Sequence, residues 1–135
     1  MEETMTNAHP VLIIDDDTNS NQVIADNLRF RGFDPTSMYS GQTALDYLKH
    51  LPDDQLPRAI LLDVLMPGMN GCEVLQEIRK TEQVRHIPVI LLSVLSQDEI
   101  REQLQTCFCG DFNEYINKPY DMRDVIRKLE GCVNE

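Results

Sequence analysis

Three apolar runs of this chain, and a fourth, mixed run at residues 112–117, each lead to a side chain that could bind a metal ion or a phosphoryl group. Asp15 and Asp16 follow the first run, Asp63 the second, Ser93 ends the third and Lys118 follows the fourth. Any one of them alone could be an ordinary turn residue. Together they supply carboxylates for a hard divalent cation, and a hydroxyl and an ammonium for phosphate oxygens.

The elements that must position these side chains are short strands. The apolar runs have the length and the β-branched composition of strands buried on both faces of a sheet. Residues 33–39 form a poorer strand, because Pro35 cannot donate a hydrogen bond to its neighbour, and we assign them to an edge. The predicted strands cover residues 11–14, 33–39, 59–62, 88–93 and 112–117.

An amphipathic helix is predicted after each strand. The candidate N-caps are residues 18–21, Ser40, Asn70, Ser96 and Asp121, and Glu73 and Glu99 complete capping boxes at the third and fourth helices. The apolar faces of the first and fourth helices are formed by Val23, Ile24 and Leu28 and by Ile100, Leu104 and Cys107. Gly32 ends the first helix.

Five alternations of strand and helix predict an α/β fold, a doubly wound five-stranded parallel sheet with helices on both faces. In such a sheet the carboxyl ends of all the strands lie along one edge. The five polar side chains named above should therefore meet in one cleft.

Carboxylates in one cleft repel each other. At about 4 Å and an effective dielectric of about 20, each ionised pair costs on the order of 4 kcal/mol. A divalent cation with oxygen ligands removes this repulsion, and Mg²⁺ suits carboxylates, open water positions and a phosphate oxygen. Asp63 is then placed as a nucleophile, while Lys118 and Ser93 can each contact a phosphoryl oxygen. The pattern indicates magnesium-dependent phosphoryl transfer.

The charge of the chain argues against nucleic acid and membranes as partners. Twelve Lys and Arg against 23 Asp and Glu give a formal net charge of −11, which repels phosphates and anionic lipid surfaces. No apolar run approaches the ~18 residues that a membrane helix needs, and residues 1–10 do not resemble a secretory signal. We expect a flexible arm at residues 1–10, one domain at residues 11–135 and a cytoplasmic location.

The cysteines and histidines carry little further signal. The four cysteines are expected to be reduced, as is usual in the cytoplasm. Only Cys107 and Cys109 are close in sequence, and a single C-x-C pair is weak evidence for a metal site. His9, His50 and His86 fall in the predicted arm and loops, where a solvated role is expected.

Four motifs resemble those of the receiver domain of two-component response regulators. They are V-L-I-I-D-D-D at 11–17, L-L-D-V-L-M-P-G-M-N-G at 61–71, P-V-I-L-L-S at 88–93 and Y-I-N-K-P at 115–119. Single pieces such as D-D or K-P occur in many proteins, but the combination is specific. The resemblance spans residues 11–133, and it implies the flavodoxin-like strand order 2-1-3-4-5.

The resemblance also implies roles for the residues. Asp63 would accept a phosphoryl group from a histidine kinase or a histidine-phosphotransfer protein. The Mg²⁺ ligands would be Asp16, Asp63 and the backbone carbonyl of Leu65, with Asp15 assisting through water. Ser93 and Tyr115 would form the switch, Lys118 would contact the phosphoryl group, and the Lys118–Pro119 peptide bond would be cis.

As a receiver, the chain would be a signalling protein rather than an enzyme, because it would catalyse only its own phosphorylation and dephosphorylation. The surface of the fourth helix, fifth strand and fifth helix would contact a downstream protein target. Homodimerisation through that surface is a further hypothesis, which unchanged sedimentation on phosphorylation would contradict. The sequence leaves open whether the chain acts alone or is a piece of a longer protein.

Several positions depart from the commonest receiver pattern. The stretch from Gly110 to Tyr115 is one residue longer than usual, so the loop before the fifth strand could be reshaped. Val94 stands where a small residue usually follows the hydroxyl. Leu65 and Leu95 place apolar groups beside the path of an attacking water, which predicts slow self-dephosphorylation.

Three other functions fit parts of the pattern. A phosphatase of the haloacid dehalogenase type has D-x-D-x-T/V after its first strand, but here the threonine of Asp15-Asp16-Asp17-Thr18 comes one position early and no cap domain fits the length. A flavin or nucleotide binder would need a glycine-rich loop there. A receiver-like protein that is never phosphorylated would not need all the reactive residues. Turnover of a phosphate ester would separate the phosphatase, since a receiver stalls after one equivalent.

Overall fold

The fold is a five-stranded parallel sheet in the order β2-β1-β3-β4-β5, seen in a computed structural model that describes residues 8–103 and 112–133. The fold class and strand order predicted from the sequence are confirmed. The strands are β1 (His9–Ile14), β2 (Phe33–Met38), β3 (Ala59–Asp63), β4 (Val89–Ser93) and β5 (Glu114–Asn117).

The helices alternate with the strands, as predicted. They are α1 (Thr18–Phe30), α2 (Gly41–Lys49), α3 (Gly71–Lys80), α4 (Gln97–Gln103) and α5 (Met122–Val133), with a short 3₁₀ helix at Asp53–Gln55. Both predicted capping boxes are present. In each box, the side chain of one residue accepts a hydrogen bond from the backbone N–H of the other. The two pairs are Asn70 with Glu73 and Ser96 with Glu99.

The central strands are buried on both faces, because alternate residues enter two different cores. Leu12 and Leu62 point to the core beneath α2 and α3, whereas Ile13 and Leu61 point to the core beneath α1 and α5. A strand covered on both sides cannot alternate apolar with polar residues. This explains why β1, β3 and β4 read as continuous apolar runs in the sequence.

Helix α1 differs in detail from the prediction. Its N-cap is Asp17, whose carboxylate accepts the backbone N–H groups of Asn19 and Ser20, rather than one of residues 18–21. Val23, expected on the apolar face, is 53% exposed, and Asn21 is buried in its place. The helix starts at Thr18, and its inner face consists of positions 21, 24, 25 and 28, which share one side of a helix.

The first strand begins earlier than predicted. His9 and Pro10 pair with Phe33 and Asp34 of β2, so they belong to the sheet and not to a flexible arm. His9 is half-buried, with its ring centroid 6.1 Å from that of Phe33, which corrects the solvated role expected for it. Neither residue is a strand former, and the pairing with β2 places them in the sheet.

Among the residues that the structure describes, the prediction of reduced cysteines is wrong at Cys72. Cys72, in the first turn of α3, is disulfide-bonded, whereas Cys132 is a thiol. Spacing along a chain does not show which distant thiols the fold brings together, so this disulfide could not be predicted from the sequence. The predictions for Leu104, Cys107, Cys109 and the longer loop from Gly110 lie outside the described residues.

Among residues 8–103 and 112–133, every helix is too short or too polar to span a lipid bilayer.

Candidate functional site

Three carboxylates converge at the carboxyl edge of the sheet. Oxygen atoms of Asp15, Asp16 and Asp63 all lie within 4.8 Å of one another. Asp15 is fully buried and Asp63 nearly so, whereas Asp16 is exposed. The group therefore has a closed inner side and an open outer side.

The register of two neighbouring strands produces this convergence. In the parallel pair β1 and β3, Ile14 lies opposite Leu62, so the next residues, Asp15 and Asp63, emerge side by side. The backbone N–H of Asp15 donates to the carbonyl of Met38 at 3.2 Å, and that of Asp17 donates to Oδ1 of Asp15 at 3.0 Å. Both contacts fix the loop that follows β1.

Lys118 is the cation of the cluster. Its Nζ lies 3.3 Å from Oδ2 of Asp15 and 3.3 Å from Oδ1 of Asp63, although it is 103 residues from Asp15 in sequence. Its backbone N–H donates to the carbonyl of Ser93 at 2.8 Å, which ties the end of β5 to the end of β4. The Lys118–Pro119 peptide bond is cis, as the resemblance implied.

The electrostatics of the cluster leave it short of positive charge. Burial, followed by the carboxylate of Asp15, raises the pKa of Asp63 from 3.8 to about 6, and the nearby Lys118 ammonium only partly offsets this. Burial alone would lower the pKa of Lys118, but the carboxylates of Asp63 and Asp15 outweigh it and raise that pKa. A divalent cation would relieve the remaining repulsion.

The donor set fits Mg²⁺. Oxygen ligands only, two of them almost buried carboxylates and one an exposed carboxylate, match the preference of this ion for oxygen and for keeping part of its water shell. Lys118 compensates only one of the three negative charges. The two inner carboxylates therefore lack compensating positive charge, which a small divalent ion would supply.

Ser93 and Tyr115 both lie beside the loop between β4 and α4. Ser93 is fully buried, and its hydroxyl oxygen accepts the backbone N–H of Leu95 at 3.0 Å. The Tyr115 hydroxyl donates to the carbonyl oxygen of Leu95. Burial raises the pKa of Tyr115, more than its hydrogen bond with Ser93 lowers it. Both residues of the expected switch therefore contact the same loop residue.

Exposed apolar side chains come shortly after two of the site residues in the sequence. Leu65 is 42% exposed and Val94 is 62% exposed, and these residues follow Asp63 and Ser93 closely in sequence. Leu95 is partly buried, and its side chain packs against the core beneath α2 and α3. Leu65 and Val94 are therefore the more exposed of these three apolar side chains.

Two residues that the sequence analysis did not single out support the site. Asn21 is fully buried on α1, and its Nδ2 donates to the carbonyls of Asp15 and Met38, each at 3.0 Å. Gly71 begins α3, and a Cβ there would lie 2.4 Å from the carbonyl oxygen of Asp63. Asn21 could have been identified from its position three residues before Ile24, because this spacing places a polar side chain on the inner face of the helix.

Comparisons with known proteins find similar sequences over most of this chain. The family model of the response regulator receiver domain matches residues 11–130. The chain is 32% identical to the regulatory protein AtoC of Escherichia coli over 121 residues, which is 90% of this chain and 24% of AtoC. It is 31% identical to the DNA-binding dual master transcriptional regulator RpaA of Synechocystis over 125 residues, which is 91% of this chain and 48% of RpaA. It thus spans less than half of either relative.

A solved structure shares both the fold and detectable sequence. The receiver domain of the sensor histidine kinase PA1611 of Pseudomonas aeruginosa has a TM-score of 0.81 and 26% identity, covering 95% of this chain and 99% of that one. In that protein a magnesium ion is coordinated in the active-site cleft.

Proposed function

We propose that this chain, which belongs to the response regulator receiver domain family, accepts a phosphoryl group on Asp63 and passes the change to a protein partner. The observation that carries the proposal is the cluster at the carboxyl edge of the sheet. There a nearly buried carboxylate lies within reach of two further carboxylates and 3.3 Å from a lysine ammonium. The proposed domain begins with β1 at His9, and its location is cytoplasmic.

Asp15, Asp16, Asp63 and the backbone carbonyl of Leu65 would hold Mg²⁺. Asp16, Asp63 and the carbonyl are the proposed direct ligands, and Asp15 is proposed to act through water. When bound, the ion would neutralise charge on the phosphoryl oxygens. The exposed side of Asp16 leaves room for a ligand to enter from solvent.

The proposed transfer is a displacement at phosphorus. A carboxylate oxygen of Asp63 attacks the phosphorus atom of a phosphohistidine, and a new O–P bond forms as the N–P bond breaks. The bonding electrons go to the imidazole nitrogen, which takes up a proton, and an acyl phosphate remains on Asp63. Lys118 stabilises charge on one phosphoryl oxygen, and the Ser93 hydroxyl donates a hydrogen bond to another.

The raised pKa of Asp63 is compatible with this role. At neutral pH a group with a pKa of about 6 is mostly ionised, so the nucleophilic form is available. Its partial burial removes water that would otherwise surround the carboxylate. Lys118 stays charged under the same conditions, because its pKa is raised.

The proposed output is a rearrangement of the surface formed by α4, β5 and α5. The Ser93 hydroxyl would move toward the phosphoryl group, and this movement changes its contact with the N–H of Leu95. Tyr115, bound to the carbonyl of Leu95, would follow the loop. The proposed donors are a histidine kinase or a histidine-phosphotransfer protein, and the proposed receiver of the signal is a protein target.

Phosphorylation with a small donor tests this function. The protein is incubated with acetyl phosphate, with Mg²⁺ or with a chelator, and the intact mass is measured. The parent and the exposed-site control Asp34→Asn should gain one phosphoryl group only when Mg²⁺ is present. Asp63→Asn should gain none, and labelling of that variant equal to the parent would contradict the proposal.

The exposed apolar side chain of Leu65 predicts a long-lived acyl phosphate. Leu65 lies beside the path of an attacking water, so Leu65→Asn should speed dephosphorylation several-fold by offering a side chain that can hydrogen-bond that water. The rate is followed as loss of the added mass after the donor is removed. Phe30→Asn, at the far end of α1, is the control for placing a polar residue at an exposed apolar position. Equal rates for the parent and Leu65→Asn would remove the argument.

A further inference from the structure

The carbonyl oxygen of Leu95 receives hydrogen bonds from two side chains of β5. The Tyr115 hydroxyl is one donor, and Nδ2 of Asn117 is the other, at 2.7 Å. A carbonyl oxygen has two lone pairs, so both donors can bind it at once. Tyr115 and Asn117 are two residues apart on one strand, which places them on the same face of the sheet.

The backbone of Asn117 is fixed more firmly than that of Leu95. Asn117 pairs with Ser93 in the parallel ladder of β4 and β5, and the following N–H, that of Lys118, donates to the carbonyl of Ser93 at 2.8 Å. Leu95 lies outside the ladder, in the loop between β4 and α4. The Asn117 amide thus connects an ordered strand end to the loop that carries the switch.

We propose that Asn117 is a positioning residue for the switch. Its amide holds the carbonyl of Leu95 at the point where the Tyr115 hydroxyl reaches the same oxygen, so that it favours the bound tyrosine before any phosphorylation. The inference rests on the proposed role of Ser93 and Tyr115 as a switch. Asn117 would be a third side chain of the switch. Its effect is to set the equilibrium between the loop with Tyr115 bound to the Leu95 carbonyl and the loop with Tyr115 released.

The contacts of Leu95 explain why one amide can have this effect. The N–H of Leu95 donates to the Ser93 hydroxyl, and its carbonyl accepts hydrogen bonds from the side chains of Tyr115 and Asn117. Three side chains therefore determine the position of the Leu95 backbone. Of these, the Ser93 contact changes in the proposed phosphorylated state. The Asn117 amide acts on the Leu95 carbonyl and not on the Ser93 hydroxyl, so it favours the same arrangement of the loop whether or not Asp63 is phosphorylated.

Loss of the amide should lower the ratio of bound to unbound Tyr115 about threefold to fivefold, the effect of one ordinary hydrogen bond on an equilibrium. Asn117→Ala removes the side chain, and Asn117→Asp keeps its shape but replaces the donor by an acceptor. The matched control is Asn27→Ala. That change removes an asparagine amide that donates to the carbonyl of Val23 at 2.8 Å on the exposed face of α1.

The readout is the ring carbon bearing the hydroxyl of Tyr115, observed by NMR in protein labelled at that carbon in tyrosine. The chain has four tyrosines, and Tyr115→Phe identifies the resonance that belongs to Tyr115. Spectra are recorded for each variant without phosphorylation, and then with acetyl phosphate and Mg²⁺. Thermal unfolding and intact mass are measured on the same samples.

Without phosphorylation, the Tyr115 resonance of both Asn117 variants should lie closer to that of a solvent-exposed tyrosine than it does in the parent. Phosphorylation should then shift the resonance back, and this shift should be larger in the variants than in the parent. Asn27→Ala should leave it in place. A Tyr115 resonance that is the same in both Asn117 variants as in the parent would overturn the inference. Failure of the proposed function is distinguishable, because the parent would then gain no mass, while the unphosphorylated spectra would still test the contact.

Discussion

Replacing Lys118 by methionine lowers the rate of Asp63 phosphorylation by acetyl phosphate by roughly a hundredfold or more. Methionine keeps much of the length of the side chain but loses the ammonium, whose Nζ lies 3.3 Å from Oδ1 of Asp63. Removing one well-placed donor to developing negative charge typically costs a factor of about 10²–10³ in rate. The rate is measured as gain of intact mass at saturating Mg²⁺.

The matched control is Lys128→Met. Lys128 also forms an ion pair, 3.1 Å from Oε1 of Glu114, but this pair is partly exposed and lies away from the three aspartates. Its replacement should leave the rate within about twofold of the parent, since pairs of this kind contribute little. Similar rates for Lys118→Met and Lys128→Met would exclude the proposed role of Lys118.

Replacing Asp63 by asparagine stabilises the metal-free protein at neutral pH by about 3 kcal/mol. The pKa of Asp63 is raised from 3.8 to about 6 in the folded state, so folding favours the protonated form. The stability that the protonated Asp63 carboxyl contributes to the folded protein is therefore fully present below pH 3.8, and it is lost as the pH rises through about 6. A shift of about two pKa units corresponds to about 3 kcal/mol.

Urea unfolding in the presence of a chelator measures the sign and the size of this difference in the free energy of unfolding. The advantage of Asp63→Asn over the parent should be about 3 kcal/mol at pH 7.5 and roughly half of that at pH 5. Asp34→Asn, at an exposed position of β2, should show no such change with pH. Added Mg²⁺ should narrow the difference by stabilising the parent. A variant less stable than the parent at pH 7.5 would contradict the raised pKa.

The strands and the acidic edge were predictable from the sequence because their signals are local. Continuous apolar runs such as Ile60–Leu62 identify strands buried on both faces, and the aspartates that end the runs of β1 and β3 mark the carboxyl edge. The helix caps at Ser40 and Asn70 were predictable for the same reason, since each cap contacts a residue three positions away.

The supporting contacts were not predictable, because their partners lie in other elements. The Asn21 amide binds the carbonyl of Met38, 17 residues away, and the Asn117 amide binds that of Leu95, 22 residues away. A backbone carbonyl has no signature in the sequence, so an asparagine that binds one looks like any other polar residue. The start of β1 at His9 was missed likewise, since only its pairing with Phe33 places it in the sheet.

The most direct test of the central claim is chemical identification of the phosphorylated residue. Borohydride reduces an aspartyl phosphate to homoserine, and peptide mass spectrometry then locates the product in the chain. After treatment with acetyl phosphate and Mg²⁺, homoserine should appear at position 63 and should be absent when a chelator replaces Mg²⁺. Homoserine at Asp15 or Asp16 instead, or a phosphorylated protein with none at position 63, would contradict the account.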